Sequence, residues 1–197
     1  MHKTFSNKAN RNEKGQSFVE LSLIVILLMI FVAGIVEFGF ALNNYLNLVD
    51  ASREAVRYSS NFDPFDEVGK EDPNFYIQTA ELTEDIMQPL VLNPSVGDDI
   101  VISFFSVASG VYKRYPETTG YWSVYGNHTS SLSDAEIQSR LDSSAPPTGV
   151  LLIEIYYNYP QVLKLPLFTA FVRDPMPLYV YAIMPLAAAE PNPTPTP

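Results

Sequence analysis

"GQSFVELSLIVILLMIFVAGIVEFGFAL" spans residues 15–42, and its reading decides the fold. Leu21 to Val36 runs without a charge, broken only by Ser22 and Gly34. As a helix, Leu21–Leu42 would measure about 33 Å at 1.5 Å per residue, enough to cross the hydrocarbon core of a bilayer. The rival reading is the core helix of a soluble protein. It suffers from the lack of any polar face to offer water. A transmembrane part at about 21–42 is therefore expected.

Charge sets the expected orientation. The chain holds 12 basic and 22 acidic side chains, a formal −10. Lys3, Lys8, Arg11 and Lys14 stand against Glu13 in residues 1–15, while "NNYLNLVD" after the apolar run is neutral to acidic. The positive-inside rule then keeps the N-terminus in the cytoplasm and places residues 43–197 outside, on a single-pass anchor in the cytoplasmic membrane. An acidic body argues against a nucleic-acid partner, whose phosphates demand a basic face. There is no cysteine, which excludes disulfides and thiolate metal sites.

Glu20 raises a question, because a carboxylate at mid-bilayer costs roughly 2.5–3.5 kcal/mol. Its position at the cytoplasmic edge fits a solvated residue at the helix entrance. A second reading starts from Gly15. If the chain is cut after Gly15, Gln16 becomes the first residue and Glu20 the fifth. Positions i and i+4 share a helix face, so the Glu20 carboxylate can meet the new α-ammonium group, within one chain or between neighbouring chains.

Three features together carry a resemblance: Gly15 with Glu20, "IVEFGFAL" (35–42) at the outer end of the span, and "DASREAVRYSS" (50–60) beyond it. Residues 15–60 resemble the N-terminal region of TadE-like proteins, the pseudopilins or minor pilins of the tight-adherence (Flp-type) type IV pilus system. The resemblance implies a prepilin peptidase as partner, cutting between Gly15 and Gln16. It implies other pilin subunits as partners through the N-terminal helix, and a role for Glu20 in assembly or processing. Glu37 matches a family position to which no role is attached. By its own spacing it reads as a carboxylate snorkelling to the outer interface, about 24 Å along from Leu21.

The helical pattern continues without Gly or Pro from Asn43 to Phe62. Asp50, Arg53 and Arg57 lie three and four residues apart, as in surface ion pairs worth a few tenths of a kcal/mol. Glu37, Arg53 and Arg57 are the secondary site candidates on this helix. Beyond an acidic loop, "FYIQTAELTEDIMQPL" predicts a second helix with Asn74 as N-cap. Ile100–Ala108, "YWSVYG" and Gly149–Pro160 predict strands, as does Tyr179–Met184. Ser133 with Glu136 has the form of a capping box for a short helix. The fold class expected is α+β: a long N-terminal helix, membrane half plus amphipathic half, packed on a small mostly antiparallel sheet with one or two short helices. The expected organisation is a cleaved basic leader (1–15), the helix (16–62), an extracytoplasmic α+β domain (63–189) and a disordered Pro/Thr tail (190–197). The apolar, proline-broken "PQVLKLPLFTAFVRDPMPL" (160–178) is expected to pack under the sheet rather than face lipid or a neighbour.

Nothing reads as catalytic, and no cofactor is implied. His2 falls in the leader, and His128 in a polar loop reads as solvated. No Gly-rich phosphate loop or nucleophile motif is present. Asp63, Asp66, Glu67, Glu71 and Asp72 form an acidic loop. The first three are a weak calcium candidate without EF-hand spacing. Two further readings stay open. One is an uncleaved, membrane-anchored binding or adhesion protein. The other is a secreted protein released after Ala41, where Gly39 and Ala41 occupy the small-residue positions of a signal-peptidase site.

Overall fold

The computed structural model describes residues 10–108, 110–141, 147–164, 169 and 172–190. The leader before Asn10, the tail 191–197 and most of the apolar stretch 165–171 lie outside the described residues, so the expectations placed on them are not addressed by it. Helix α1 (Asn10–Ser59) is one uninterrupted element of 50 residues, about 75 Å long. It ends three residues short of the expected Phe62. There the Asn61 side chain turns back onto the carbonyls of Arg57 and Tyr58 (3.3 and 3.2 Å) and satisfies orphan acceptors of the last turn.

Helix α2 (Pro73–Met87) starts one step earlier than its expected cap. Asp72, not Asn74, is the N-cap, and its carboxylate accepts from Asn74 N at 2.9 Å. Pro73 explains the shift: a residue without an N–H fits the first helical position at no cost. The sheet comprises β1 (Asp99–Val107), β2 (Val111–Tyr115), β3 (Trp122–Ser123), β4 (Thr148–Tyr159) and β5 (Met176–Pro185). All pairs are antiparallel, in the order β2-β1-β4-β5, with β3 also on β1. The sequence reading does not anticipate β2, whose Lys113 and Arg114 hide the alternation of a short edge strand. Helix α3 (Asp134–Arg140) carries the expected capping box, with Ser133 and Glu136 each serving the other's backbone N–H.

Both faces of the sheet are covered, which is why β1 and β4 are buried along nearly their whole length. Against one face lie α1 and α2. There Leu48, Ala51, Ala55 and Val56 of α1 meet Leu151, Ile153 and Ile155 of β4 and Val180 and Ala182 of β5. On the other face Phe105, Val150 and Leu152 meet Ile137 of α3 and Leu132. Ala51 and Ala55 let the helix backbone come close to the sheet. After β5 the chain crosses the α1 side as a short 3-10 turn (Ala187–Ala189). Leu186 N donates to Gly149 O at 2.8 Å, and Ser106 Oγ donates to Ala189 O at 2.7 Å.

Gly149 makes that crossing possible. A Cβ there would lie 2.0 Å from Leu186 O and 2.6 Å from Ala189 Cβ, far inside van der Waals contact with backbone that is itself hydrogen-bonded. Gly149→Ala is expected to lower unfolding stability by about 2 kcal/mol or more, read as a shifted urea midpoint for the detergent-solubilised chain.

Candidate functional site

Among the described residues, none of the α1 side chains from Gly15 to Val36 is buried. The helix's most apolar 18-residue window has a mean hydropathy of 2.9, and none of that window is buried. By length and composition this helix suffices to cross a membrane. Phe18, Ile24, Leu28, Phe31 and Ile35 all stand exposed, a surface that water alone leaves uncompensated. At its start Gln16 Nε2 donates to Glu20 Oε1 at 3.3 Å, so the two expected site residues share a helix face. A Cβ on Gly15 would meet nothing within 4 Å among the described residues, and the Gly15–Gln16 bond lies within α1.

Glu37 departs from its expected role. It does not snorkel: it is 4% exposed, and its carboxylate is saturated by the sheet domain. Tyr159 Oη donates to Oε1 at 2.7 Å, Val162 N to Oε1 at 2.8 Å and Leu163 N to Oε2 at 2.7 Å. An acid on the helix thus caps the backbone of the segment leaving β4, and charge-assisted bonds of this kind are the strong ones. At the start of this segment Gln161 is buried, while Val162 and Leu163 are 57% and 38% exposed with their backbones bound; the packing expected of 165–171 lies outside the described residues. Spacing alone offered no sign of this clamp, because its partner lies more than a hundred residues away.

Arg53 and Arg57 stay on the surface. Arg57 pairs with Glu54 at 2.6 Å, an exposed one-turn ion pair. Asp50 and Arg53 do not form the expected pair. They instead line an open groove with Glu54, Met87, Pro89 and Met184, between α1, the end of α2 and β5. In the acidic loop, Asp63 Oδ1 accepts from Phe65 N, and Asp66 Oδ1 from Val68 N and Lys70 N. These carboxylates shape turns. Among the described residues no group of three or more His, Asp or Glu is placed to hold a metal ion.

Two more carboxylates escaped the sequence reading. Asp99 on β1 is fully buried and accepts from Ser123 Oγ and from the backbone N–H groups of Tyr125, Asn127 and His128. Glu154 on β4, also fully buried, accepts from Ser130 Oγ, Ser131 N, Tyr156 Oη and Tyr179 Oη. Together they pin loop 121–131 across the second face of the sheet. The only sequence sign was an acid inside each strand, a break in an otherwise apolar run. His128 is not simply solvated: its ring stacks on Tyr156 at 4.0 Å and its Nε2 lies 2.9 Å from Gly97 O. Tyr156, Tyr179 and Tyr181 continue as a row of rings, and the Arg140 guanidinium caps the last.

Removing the Glu37 carboxylate leaves three donors without an acceptor. Glu37→Ala is expected to cost about 3 kcal/mol and to speed hydrogen exchange at the Val162 and Leu163 amides. The tyrosine row predicts an alkaline limit. Burial, reinforced by the Glu154 charge, pushes the Tyr156 phenol up to about 12 from 10.0, and the Glu84 carboxylate beside Tyr125 does the same there. The fold therefore favours the neutral phenols. Their contribution is complete below the unfolded value near 10 and is lost as pH rises towards 12. Unfolding monitored by circular dichroism should show stability falling through that window, together with delayed tyrosinate absorbance.

No curated protein and no solved structure matches the chain. One family model does, over residues 15–57, and its description is TadE-like protein. The matched segment covers Gly15, Gln16, Glu20, the exposed apolar helix, Glu37, Arg53 and Arg57. Residues 15–57, which hold the candidate site, are thus similar to TadE-like proteins.

Proposed function

We propose that this chain is a minor pilin or pseudopilin of a Tad (Flp-type) pilus, cut after Gly15 by a prepilin peptidase and assembled through α1. The observation that carries the reading is the unpartnered apolar length of α1, Leu21 to Val36, preceded one turn earlier by Gln16 and Glu20 on a shared face. Lipid satisfies such a surface before assembly, and the helices of neighbouring subunits satisfy it afterwards. Once Gln16 is the terminus, its ammonium group and the Glu20 carboxylate can neutralise each other as both enter an apolar bundle. The mechanism is structural. The helix supplies packing, Glu20 supplies charge compensation, and the sheet domain outside the membrane presents a surface held in fixed relation to the helix by Glu37.

Mass spectrometry of the N-terminus, on protein recovered from host membrane and surface fractions, tests the processing step. A chain beginning at Gln16 supports it. An intact leader points instead to an anchored binding protein, and a start at Leu42 to a secreted one. Glu20→Ala should abolish incorporation into surface filaments while the sheet domain keeps its fold; filaments built normally from that variant would sink the assembly role.

A further inference from the structure

Glu37 ties the sheet domain to α1 at a depth that the sequence sets. Glu20 and Asn43 are the polar residues that bracket the apolar run. A hydrocarbon core about 30 Å thick that begins at Leu21 takes up about 20 helical residues and ends near Ala41. The Cα of Glu37 then lies about 6 Å inside the outer limit of the core. Side chains on an α-helix lean towards its N-terminus, here the cytoplasmic end, so the carboxylate sits no nearer the outside than its own backbone.

The partners of that carboxylate share its depth. Val162 N and Leu163 N donate to it at 2.8 and 2.7 Å, which places the chain leaving β4 beside α1, within the outer leaflet rather than above it. Hydrocarbon imposes two conditions there. Every backbone N–H needs an acceptor from the protein, because lipid tails offer none. Side chains that face outward need to be apolar, with charges only where they can reach the headgroups.

The segment Pro160–Leu163 meets the first condition without help from secondary structure. Pro160 has no N–H, Gln161 N donates to Asp174 Oδ1 at 3.1 Å, and Glu37 takes the next two. In water those N–H groups would need no carboxylate; in hydrocarbon they do. The second condition is met as well. Val162 and Leu163 are exposed. At the same level a cleft of about 90 Å³ with apolar walls opens between Phe38, Tyr159, Val172 and Met176, beside Glu37. The neighbouring charges, Lys164 and Arg173, are exposed, and both have stems long enough to carry their charge outward to lipid phosphates.

We propose that Val162 and Leu163 form a wedge seated among the acyl chains of the outer leaflet, so that the sheet domain docks on lipid as well as on α1. This rests on α1 spanning the membrane with the sheet domain outside, and neither on leader cleavage nor on pilus assembly. Glu37 then has a second task besides joining helix to sheet: it supplies acceptors to backbone that lipid cannot satisfy.

Because the chain has no cysteine, single spin labels report depth directly. Full-length protein carrying Val162→Cys or Leu163→Cys would be labelled with a nitroxide and reconstituted in phosphatidylethanolamine–phosphatidylglycerol vesicles at a low protein-to-lipid ratio. Collisions with oxygen, which concentrates in hydrocarbon, are compared with collisions with a water-soluble nickel chelate present on both sides of the bilayer. Phe31→Cys, at the middle of the span, and Val68→Cys, 75% exposed in the loop beyond the far end of α1, calibrate the two extremes. The oxygen-to-nickel ratio at 162 and 163 is expected to be several-fold above that at Val68→Cys and at least as high as at Phe40→Cys. Labels at both positions as open to nickel as Val68→Cys, with Phe31→Cys shielded, would overturn the wedge and leave the spanning helix standing. Labels shielded from both reagents would put protein there, the same chain or a neighbouring copy, and would overturn it too. Nickel access at Phe31→Cys as well would remove the spanning reading along with the wedge, which keeps the two failures apart.

Discussion

The Glu37 carboxylate is the joint on which the architecture turns. It belongs by sequence to the apolar helix and by bonding to the sheet domain, where Tyr159, Val162 and Leu163 saturate both of its oxygens. A buried carboxylate stripped of those donors would be untenable, so the end of β4 and the helix must meet there. Among the described residues no α1 side chain from Gly15 to Val36 is buried, whereas Ala41, Leu48, Ala51, Ala55 and Val56 beyond Glu37 are. The joint thus divides one continuous helix into a part for lipid or neighbouring helices and a part for the domain.

Downstream, α1 works as the cover of a sheet. Its small residues Ala51 and Ala55 and its larger Leu48 and Val56 seal one face. Among the described residues the other face carries only the short α3, and polar chemistry compensates. Asp99 and Glu154 gather the N–H groups of a loop that would otherwise lie over apolar strands with its backbone unpaired. With no cysteine to cross-link them, these hydrogen-bonded acids and the stack of His128 on Tyr156 hold loop 121–131 in place.

Glu37, Asp99 and Glu154 are turned onto hydrogen-bond donors of the fold, and His128 onto the Tyr156 ring, so each has a structural task. Among the described residues the apolar length of α1 is left exposed. The TadE-like match over residues 15–57 gives that length a context in pilin-type subunits.

Much was legible in the sequence wherever the signal is local. A long uncharged run dictates a helix and excludes water as its solvent. β-Branched and aromatic runs dictate β1, β4 and β5, and Ser133 with Glu136 dictates the start of α3. The proposal for Gly15, Gln16 and Glu20 likewise rests on spacing along one chain. The roles of Glu37, Asp99 and Glu154 were not legible. Each is an acid whose partners are distant in sequence, and burial with hydrogen bonds is a property of the folded neighbourhood. Tertiary structure alone decided the strand order β2-β1-β4-β5, because it depends on how β4 and β5 fold back against α1. Composition and spacing determined the helix and its solvent; only the packed chain decided where that solvent stops.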